Sequence, residues 1–197
     1  MNVYNIGCIH YKADKNIVAI DIGMHVGWAS LYFASMANVE KVYSYEPFEE
    51  NLVDALSNFA LNPSISYKIS VNNFGLGNKN ELQEVNKFKS CREDTRGYAS
   101  IVIKDSAEVL EPVINDNYLQ GIIWLKCNCE GGEYDVFESL DNAGLLSKIH
   151  IITMEYHGSD EKLSFLQTIL FKNHFVFYQT DHIGTGMIFA FNTRAWS

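Results

Sequence analysis

The sequence predicts an α/β fold with a mostly parallel, doubly wound sheet and an antiparallel pair of strands near the carboxyl terminus. Three observations support this class. Short β-branched runs alternate with helical segments, as in chains built from right-handed βαβ units. The first such run ends at a glycine, and the last two runs are separated by a loop alone. One of the last two strands must therefore run antiparallel to its neighbour.

Apolar runs of strand length recur along the whole chain. Seven of them are interpreted as strands, at residues 17–23, 41–46, 65–71, 122–128, 149–157, 175–180 and 187–191. Residues 28–37 are apolar nearly all round, as expected of a helix buried against a sheet. Apolar residues at helical spacing predict three more helices, at residues 48–59, 134–140 and 163–170.

Residues 72–121 interrupt this alternation, and we interpret them as an irregular insert within a single domain of residues 1–197. Between residues 79 and 104, six Lys or Arg residues stand against four Asp or Glu residues, although the whole chain has a formal net charge of −9. Long polar inserts commonly serve as substrate lids. We expect this one to cover an anionic or heavily hydroxylated acceptor through basic side chains from the set Lys87, Lys89, Arg92 and Arg96.

Composition narrows the possible classes of function. The 197 residues are 47% hydrophobic and 13% aromatic, which predicts a folded domain rather than a disordered chain. The acidic balance argues against nucleic acid as a partner, because general nucleic-acid binders carry basic faces. No apolar run is long enough to span a bilayer and no signal peptide is evident, so we expect a cytoplasmic protein without a membrane span.

The four cysteines stand at no spacing typical of a zinc site, and no metal site is predicted. Cys127 and Cys129 are two residues apart on an expected strand, so their side chains share one face of it. Such a pair could chelate a metal, but without further Cys or His partners it more often marks two small buried residues. We therefore expect the cysteine face to pack into the core.

A glycine turn and an acid point to a cofactor site. Asp21-x-Gly23-x-x-x-Gly27 ends the first strand, and Glu46 ends the second. Ligands of doubly wound sheets bind at the carboxyl ends of the strands, where glycines permit close approach and an acid can bind a ribose diol. The spacing differs from the G-x-G-x-x-G of NAD sites and suits S-adenosyl-L-methionine. The expected cofactor-binding residues are Asp21, Gly23, His25, Gly27, Glu46 and Asn73.

The same residues also have an ordinary structural interpretation. Asp21 and the glycines can serve simply to form a turn, and Glu46 can serve to cap the helix that follows it. Each feature is weak by itself. Their joint order along the chain favours a cofactor that carries a nucleoside.

Polar residues crowd the ends of the fourth and fifth strands. By strand alternation Lys126, Asn128 and Glu130 share a face, and so do Glu155 and His157 on the next strand. We expect these side chains to converge, with Glu130 or His157 removing a proton from the acceptor. The catalytic candidates are Lys126, Asn128, Glu130 and His157, and the acceptor-binding candidates are Glu133, Glu155, Arg92 and Arg96. Alternatively, Glu133 merely favours a helix N-terminus and His157 merely ends a strand.

The chain contains, in this order, the segments AIDIGMHVGWASLYFA, VYSYEP, LKCNCEGGEYDVF and ITMEYH. Together they resemble one known family, the FkbM-type S-adenosyl-L-methionine-dependent methyltransferases. The resemblance covers about residues 17–157 and implies a Rossmann-like methyltransferase fold, with O-methylation of sugar or polyketide hydroxyls. The chain departs from the family pattern at His25, where Asn is usual, and at Asn128, where Asp is usual.

Three hypotheses of function follow. The first is an O-methyltransferase acting on a hydroxyl of a sugar, glycan or small metabolite. The second is a binding or scaffold protein that keeps the fold without catalysis, which the changes at His25 and Asn128 favour. The third, a nucleotide-dependent oxidoreductase, is disfavoured by the glycine spacing. An amide is a poor ligand for hard cations, so we expect no functional magnesium or calcium at Asn128.

Overall fold

The computed structural model describes residues 15–86, 98–180 and 184–195. The strands of these residues are β1 (Ile17–Ile22), β2 (Val39–Tyr45), β3 (Ile69–Asn72), β4 (Gly75–Gly77), β5 (Glu81–Asn86), β6 (Tyr98–Asp105), β7 (Ile122–Cys127), β8 (Ile151–His157), β9 (Phe175–Gln179) and β10 (Thr185–Asn192). The α-helices are α1 (Trp28–Ser35), α2 (Glu49–Ala60), α3 (Pro63–Ser66), α4 (Ser106–Tyr118), α5 (Glu133–Asn142) and α6 (Asp160–Lys172). No helix in this part of the chain has the length and apolar character needed to cross a bilayer.

The main sheet has seven strands in the order β3-β2-β1-β7-β8-β10-β9. Its first five strands are mutually parallel, whereas β10 runs antiparallel to both β8 and β9. The chain moves outward from β1 to β3 on one side and from β7 to β9 on the other, so the strand order reverses between β1 and β7. The expected α/β fold with antiparallel carboxyl-terminal strands is confirmed.

Both faces of the sheet are covered by helices. On one face, Phe33 of α1 packs edge-on against Trp124 of β7, with ring centroids 4.8 Å apart, beside Ile17 and Ala19 of β1. The opposite face packs against α4, α5 and α6. Alternate residues of β1 and β7 enter the two cores, which explains why these strands are apolar throughout. The buried residues of the second core include Ile20, Ile22, Leu110, Ile114, Ile123, Leu125, Phe137, Leu140, Leu166 and Leu170.

The third strand begins later than its apolar sequence predicts. Residues 65 and 66, expected in the strand, belong to the short helix α3, and β3 begins only at Ile69. Pro63 occupies the first helical position, where its fixed φ favours a helix and its missing N–H costs nothing. The backbone N–H of Lys68 then donates to the carbonyl of Ile65 at 3.1 Å, which completes the turn into the strand.

The interpretation of residues 72–121 as irregular is wrong for the part that the structure describes. Strands β4, β6 and β5 form a second sheet in that order, and α4 follows directly. Asp105 caps α4 by accepting a hydrogen bond from the Glu108 N–H at 3.0 Å. Charged residues interrupt these short strands and obscure their alternation. Lys87, Lys89, Arg92 and Arg96, expected to contact the acceptor, lie outside the described residues.

A buried ion pair joins β1 to β7 where the strand order reverses. Asp21 and Lys126 are direct partners in the parallel register, and the Lys126 Nζ lies 2.8 Å from the Asp21 Oδ1. Their side chains are 0% and 5% exposed, respectively. The same ammonium donates to the carbonyl oxygens of Ile22 at 3.2 Å and Gly23 at 2.6 Å, and the Ser30 hydroxyl donates to the Asp21 Oδ2 at 2.6 Å.

The close approach of β1 to the end of β7 leaves no room for a side chain at Gly23. We expect Gly23→Ala to destabilise the protein more than Gly144→Ala, in denaturant unfolding followed by circular dichroism. Both glycines have positive φ, +76° and +69°, and so share a conformational cost of about 1–2 kcal/mol. Only at position 23 would the new Cβ meet backbone, 1.7 Å from the Asn128 carbonyl oxygen. Equal losses in the two variants would contradict this packing.

Removing one residue of the buried Asp21–Lys126 ion pair should lower the free energy of unfolding far more than removing the lysine of an exposed ion pair. Lys126→Met strands the buried Asp21 carboxylate, so we expect a loss of about 3–5 kcal/mol in the free energy of unfolding. Lys172→Met is the matched control, because the Lys172 Nζ also lies 2.8 Å from a carboxylate, that of Asp141, while its side chain is 65% exposed. The control should lose about 0–1 kcal/mol. Similar losses would show that the buried pair is not a structural determinant.

Candidate active site at the carboxyl edge of the sheet

The glycine loop crosses the carboxyl end of β2. The backbone N–H groups of Gly23 and Met24 donate to the Tyr45 carbonyl oxygen at 3.1 and 3.0 Å. Gly27 is the residue before α1 and has a φ of +85°, and a Cβ there would lie 2.5 Å from the Phe59 ring. His25 has a φ of +52°, and its side chain is exposed. The loop therefore presents backbone and the start of α1 at the edge where ligands of such sheets bind.

Glu46 is held beside this loop by three donors. Its carboxylate accepts hydrogen bonds from the backbone N–H of His25 at 2.9 Å, the backbone N–H of Phe48 at 3.0 Å and the Asn51 side chain at 3.0 Å. Asn73 donates to the Glu46 carbonyl oxygen at 2.9 Å and thereby fixes the end of β3 against the end of β2. The contact with Phe48, at the start of α2, matches the helix-capping interpretation. A carboxylate accepts about four hydrogen bonds, so capacity for a ligand remains.

Lys126 is placed differently from expectation. Its ammonium is directed toward Asp21 and the loop carbonyls of β1, and not toward Glu155 and His157 on β8. Strand alternation assigned the correct face but not the neighbour toward which the long side chain extends. Lys126 and Asp21 therefore hold the start of the glycine loop in place. They do not line the space beyond the ends of β7 and β8.

His157 at the end of β8 is surrounded by three carboxylates. Its Nδ1 lies 3.0 Å from the Glu133 Oε1. On the other side of the ring, its Nε2 lies 3.7 Å from the Glu130 Oε2 and 3.9 Å from the Glu155 Oε1. The side chains of Glu130 and Glu155 are 53% and 34% exposed, whereas that of Glu133 is fully buried. The expected convergence of Glu130, Glu155 and His157 is therefore present in the structure.

Glu130 lies beside His157 because of a turn after β7, and not because of its position on a strand, as alternation predicts. The strand β7 ends at Cys127, and Glu130 lies in the following turn with a φ of +54°. Positive φ is uncommon for a residue with a side chain. Gly131, with a φ of +106°, and Gly132 complete the turn before α5.

Asn128 joins the glycine loop to the carboxylate cluster. Its backbone N–H donates to the Ile22 carbonyl oxygen at 3.0 Å, and its side-chain Nδ2 donates to the Glu155 Oε2 at 2.7 Å. The side-chain Oδ1 is buried and has no hydrogen-bond partner among the described residues. A buried acceptor without a donor is unfavourable, and a ligand that carries an N–H or O–H group would satisfy it.

Cys127 ends β7 with its side chain in the core that α4, α5 and α6 cover, and Cys129, two residues further on, packs against the same core. Their Sγ atoms are 3.6 Å apart, both thiols are free, and Cys127 belongs to the buried core. The hydrogen bond with Cys127, followed by burial, raises the pKa of Cys129 well above its ordinary value. The expectation that this face packs into the core is confirmed. No group of three or more His, Cys, Asp or Glu side chains within residues 15–86, 98–180 and 184–195 is arranged to hold a metal ion.

Tyr134 holds His157 in position through a contact that the sequence did not indicate. The Tyr134 hydroxyl donates to the His157 carbonyl oxygen at 2.8 Å, and the Lys162 ammonium lies 4.8 Å above the phenol ring. Burial, followed by the nearby charge of Glu133, raises the pKa of Tyr134 to about 12. The phenol therefore keeps its proton at neutral pH and ties the end of β8 to the start of α5. In the sequence it is only one member of an apolar helical stripe.

Solved structures share this fold across nearly the whole chain. An FkbM methyltransferase from Methylobacillus flagellatus KT has a TM-score of 0.59 at 19% identity, and the match covers 89% of this chain but only 43% of that one. An rRNA methylase from Streptococcus thermophilus has a TM-score of 0.54 at 12% identity, over 93% of this chain and 95% of that one. No curated protein sequence matches the chain significantly.

A third similar structure contains the expected cofactor. It is a Streptococcus pneumoniae methyltransferase in complex with S-adenosyl-L-methionine, with a TM-score of 0.53 at 11% identity over 95% of this chain and 72% of that one. At sequence level, the model of the FkbM methyltransferase domain matches residues 21–177. The chain therefore belongs to the FkbM methyltransferase family, which confirms the expected class of S-adenosyl-L-methionine-dependent methyltransferase.

Proposed function

We propose that this chain is an O-methyltransferase that transfers a methyl group from S-adenosyl-L-methionine to a hydroxyl of a sugar, glycan or small metabolite. One observation carries the proposal: the imidazole of His157 stands beside two partly exposed carboxylates, Glu130 and Glu155, at the edge that carries the glycine loop. The chain spans 43% of the length of the Methylobacillus FkbM structure. Its activity and acceptor are therefore proposed from its own residues.

The residues of the carboxyl edge fit the cofactor. Gly23 to Gly27 expose backbone at the start of α1, Glu46 retains acceptor capacity for a ribose diol, and the buried Oδ1 of Asn128 needs a donor. When bound, S-adenosyl-L-methionine supplies a methyl group already activated by its positive sulfur. The protein must then align the acceptor oxygen, exclude water and accept the hydroxyl proton.

His157 is the proposed proton acceptor. Its Nε2 faces the partly exposed carboxylates of Glu130 and Glu155, where an acceptor hydroxyl can approach. A proton taken by Nε2 creates an imidazolium, and the three surrounding carboxylates offset its positive charge. Glu130, the most exposed of the three, is the alternative base. The neutral Asn128 positions Glu155 through its 2.7 Å hydrogen bond.

The charge of the site favours a neutral, hydroxyl-rich acceptor over nucleic acid. Carboxylates only accept hydrogen bonds when ionised, so Glu130 and Glu155 are suited to bind hydroxyl groups of a substrate. The same charges repel phosphates, and the chain as a whole carries a formal charge of −9. Fold alone does not exclude nucleic acid, because an rRNA methylase is among the similar structures. Ribosomal and transfer RNA therefore belong among the acceptors that test the proposal.

A binding protein without catalysis is the second candidate, since Asn128 and His25 depart from the family pattern. Against it, the Asn128 amide is well suited to its surroundings. An Asp at that position would set a second carboxylate 2.7 Å from the Glu155 Oε2, where like charges repel. The amide at position 128 is thus matched to the neighbouring Glu155 carboxylate, which favours an active catalytic site over a non-catalytic binding protein.

A cytoplasmic location belongs to the same proposal. Cys127 and Cys129 are both free thiols although their sulfur atoms are only 3.6 Å apart. Closely spaced free thiols are typical of proteins from reducing compartments.

Glu46→Gln should weaken the binding of S-adenosylhomocysteine. The carboxylate would lose its charge and one acceptor oxygen, so we expect a 10- to 100-fold rise in Kd, on the order of 1–3 kcal/mol, in titration calorimetry. Glu49→Gln removes the same charge from the exposed first turn of α2 and should leave the Kd unchanged. Unchanged affinity in Glu46→Gln would assign Glu46 to anchoring the helix alone. A wild type that binds no S-adenosylhomocysteine would contradict the proposed cofactor.

The acceptor class can be tested with a labelled methyl donor. We expect the wild type to label hydroxyl-bearing glycans or small metabolites, detected by mass spectrometry, and to do so equally in EDTA. His157→Asn should lower turnover by about 10²–10⁴-fold, the usual contribution of a general base, while S-adenosylhomocysteine affinity is kept.

Three outcomes of this assay would contradict the proposal. Labelling of RNA alone would exclude the proposed acceptor, and metal-dependent turnover would contradict the interpretation of Asn128. Cofactor binding without methyl transfer to any glycan, metabolite or RNA fraction would favour the non-catalytic binding protein.

A further inference from the structure

Glu133 is the most enclosed member of the carboxylate cluster. It is the first residue of α5, and its side chain is fully buried. Its Oε1 accepts a hydrogen bond from the Cys129 N–H at 3.1 Å, and its Oε2 accepts one from the Gly131 N–H at 3.0 Å. Both oxygens of the carboxylate are thus held by backbone of the turn that precedes α5. The sequence pattern predicts that Glu133 contacts the acceptor, and the complete burial of its side chain excludes such a contact.

The third partner of Glu133 is the imidazole of His157. The Glu133 Oε1 lies 3.0 Å from the His157 Nδ1, within hydrogen-bonding distance, whereas Glu130 and Glu155 lie 3.7 and 3.9 Å from Nε2. An ionised carboxylate has no proton to donate, so this contact requires a proton on Nδ1. In a neutral imidazole the other nitrogen, Nε2, then carries the lone pair.

We propose that Glu133 is a positioning residue that holds His157 in the Nδ1–H tautomer, so that Nε2 is the atom that receives the acceptor proton. The assignment rests on the proposed function for the direction of proton transfer, but the tautomer itself does not depend on it. The two backbone donors keep Glu133 from rotating away from the ring. The Tyr134 hydroxyl holds the His157 backbone at the same time, through its 2.8 Å hydrogen bond to the carbonyl oxygen.

The role of Glu133 differs from that of the two neighbouring carboxylates. Glu130 and Glu155 lie on the Nε2 side and are partly exposed, where they can meet an acceptor. Glu133 lies on the Nδ1 side, enclosed by the turn. Removal of Glu130 should therefore leave the tautomer as it is, while removal of Glu133 should not.

Nitrogen NMR of histidine-labelled protein tests this assignment without an acceptor. Spectra are recorded at increasing pH until the His157 signals no longer change, so that the neutral ring is observed. The His157 signals are identified by their loss in His157→Asn. We expect the wild type to show a protonated Nδ1 and an unprotonated Nε2. Glu130→Gln should show the same pattern, whereas Glu133→Ala should show a mixture of tautomers or the Nε2–H form.

The outcomes separate this inference from the proposed function. An Nε2–H tautomer in the wild type would overturn the inference. The wild-type spectrum therefore tests the inference by itself, even if Glu133→Ala fails to fold. An unchanged Nδ1–H tautomer in a folded Glu133→Ala variant would overturn it as well. With an identified acceptor, Glu133→Gln should lower kcat at least 10-fold with little change in KM. A tautomer that behaves as expected in a protein without methyl transfer would count against the proposed function alone.

Discussion

The buried contact between Lys126 and Asp21 is the constraint on which the carboxyl edge of the sheet depends. One ammonium neutralises the carboxylate of β1 and also binds the carbonyl oxygens of Ile22 and Gly23, where β1 turns into the glycine loop. The absence of a side chain at Gly23 then lets the Asn128 backbone lie against the loop. The proposed cofactor-binding loop after β1 and the proposed acceptor-binding residues after β7 thus follow two strands that one buried cation joins.

The acidic side chains of this edge differ in their proposed roles according to how deeply they are buried. Asp21 and Glu133 are fully enclosed and orient other groups, Lys126 in one case and His157 in the other. Glu130 and Glu155 remain partly exposed and can meet a substrate. This negative edge suits hydroxyl donors and a positively charged sulfur, and it opposes phosphate. The proposed preference for a hydroxyl-rich acceptor follows from this distribution of charge more than from fold, which is shared with an rRNA methylase.

Sequence patterns predicted the features that depend on local periodicity. The apolar runs of β1 and β7, the glycine turn and the polar strand ends predicted the fold class and the edge that carries the candidate site. They did not predict the direction of Lys126, because strand alternation selects a face and not a neighbouring strand. They also failed at Ile65, where Pro63 starts a helix, and in residues 72–121, where charged residues obscure short strands. The burial of Glu133 depends on a turn that folds backbone N–H groups around its carboxylate, and no spacing rule reveals it.

A crystal structure of the wild type with S-adenosylhomocysteine tests the central claim most directly, namely that the ends of β1, β2, β7 and β8 form one methyl-transfer site. The account predicts ligand density against the glycine loop and the Glu46 carboxylate, with the ligand sulfur on the side that faces His157. A donor from the ligand or from an ordered water should lie within hydrogen-bonding distance of the Asn128 Oδ1. Density elsewhere on the molecule, or a ligand separated from His157 by other side chains, would contradict it.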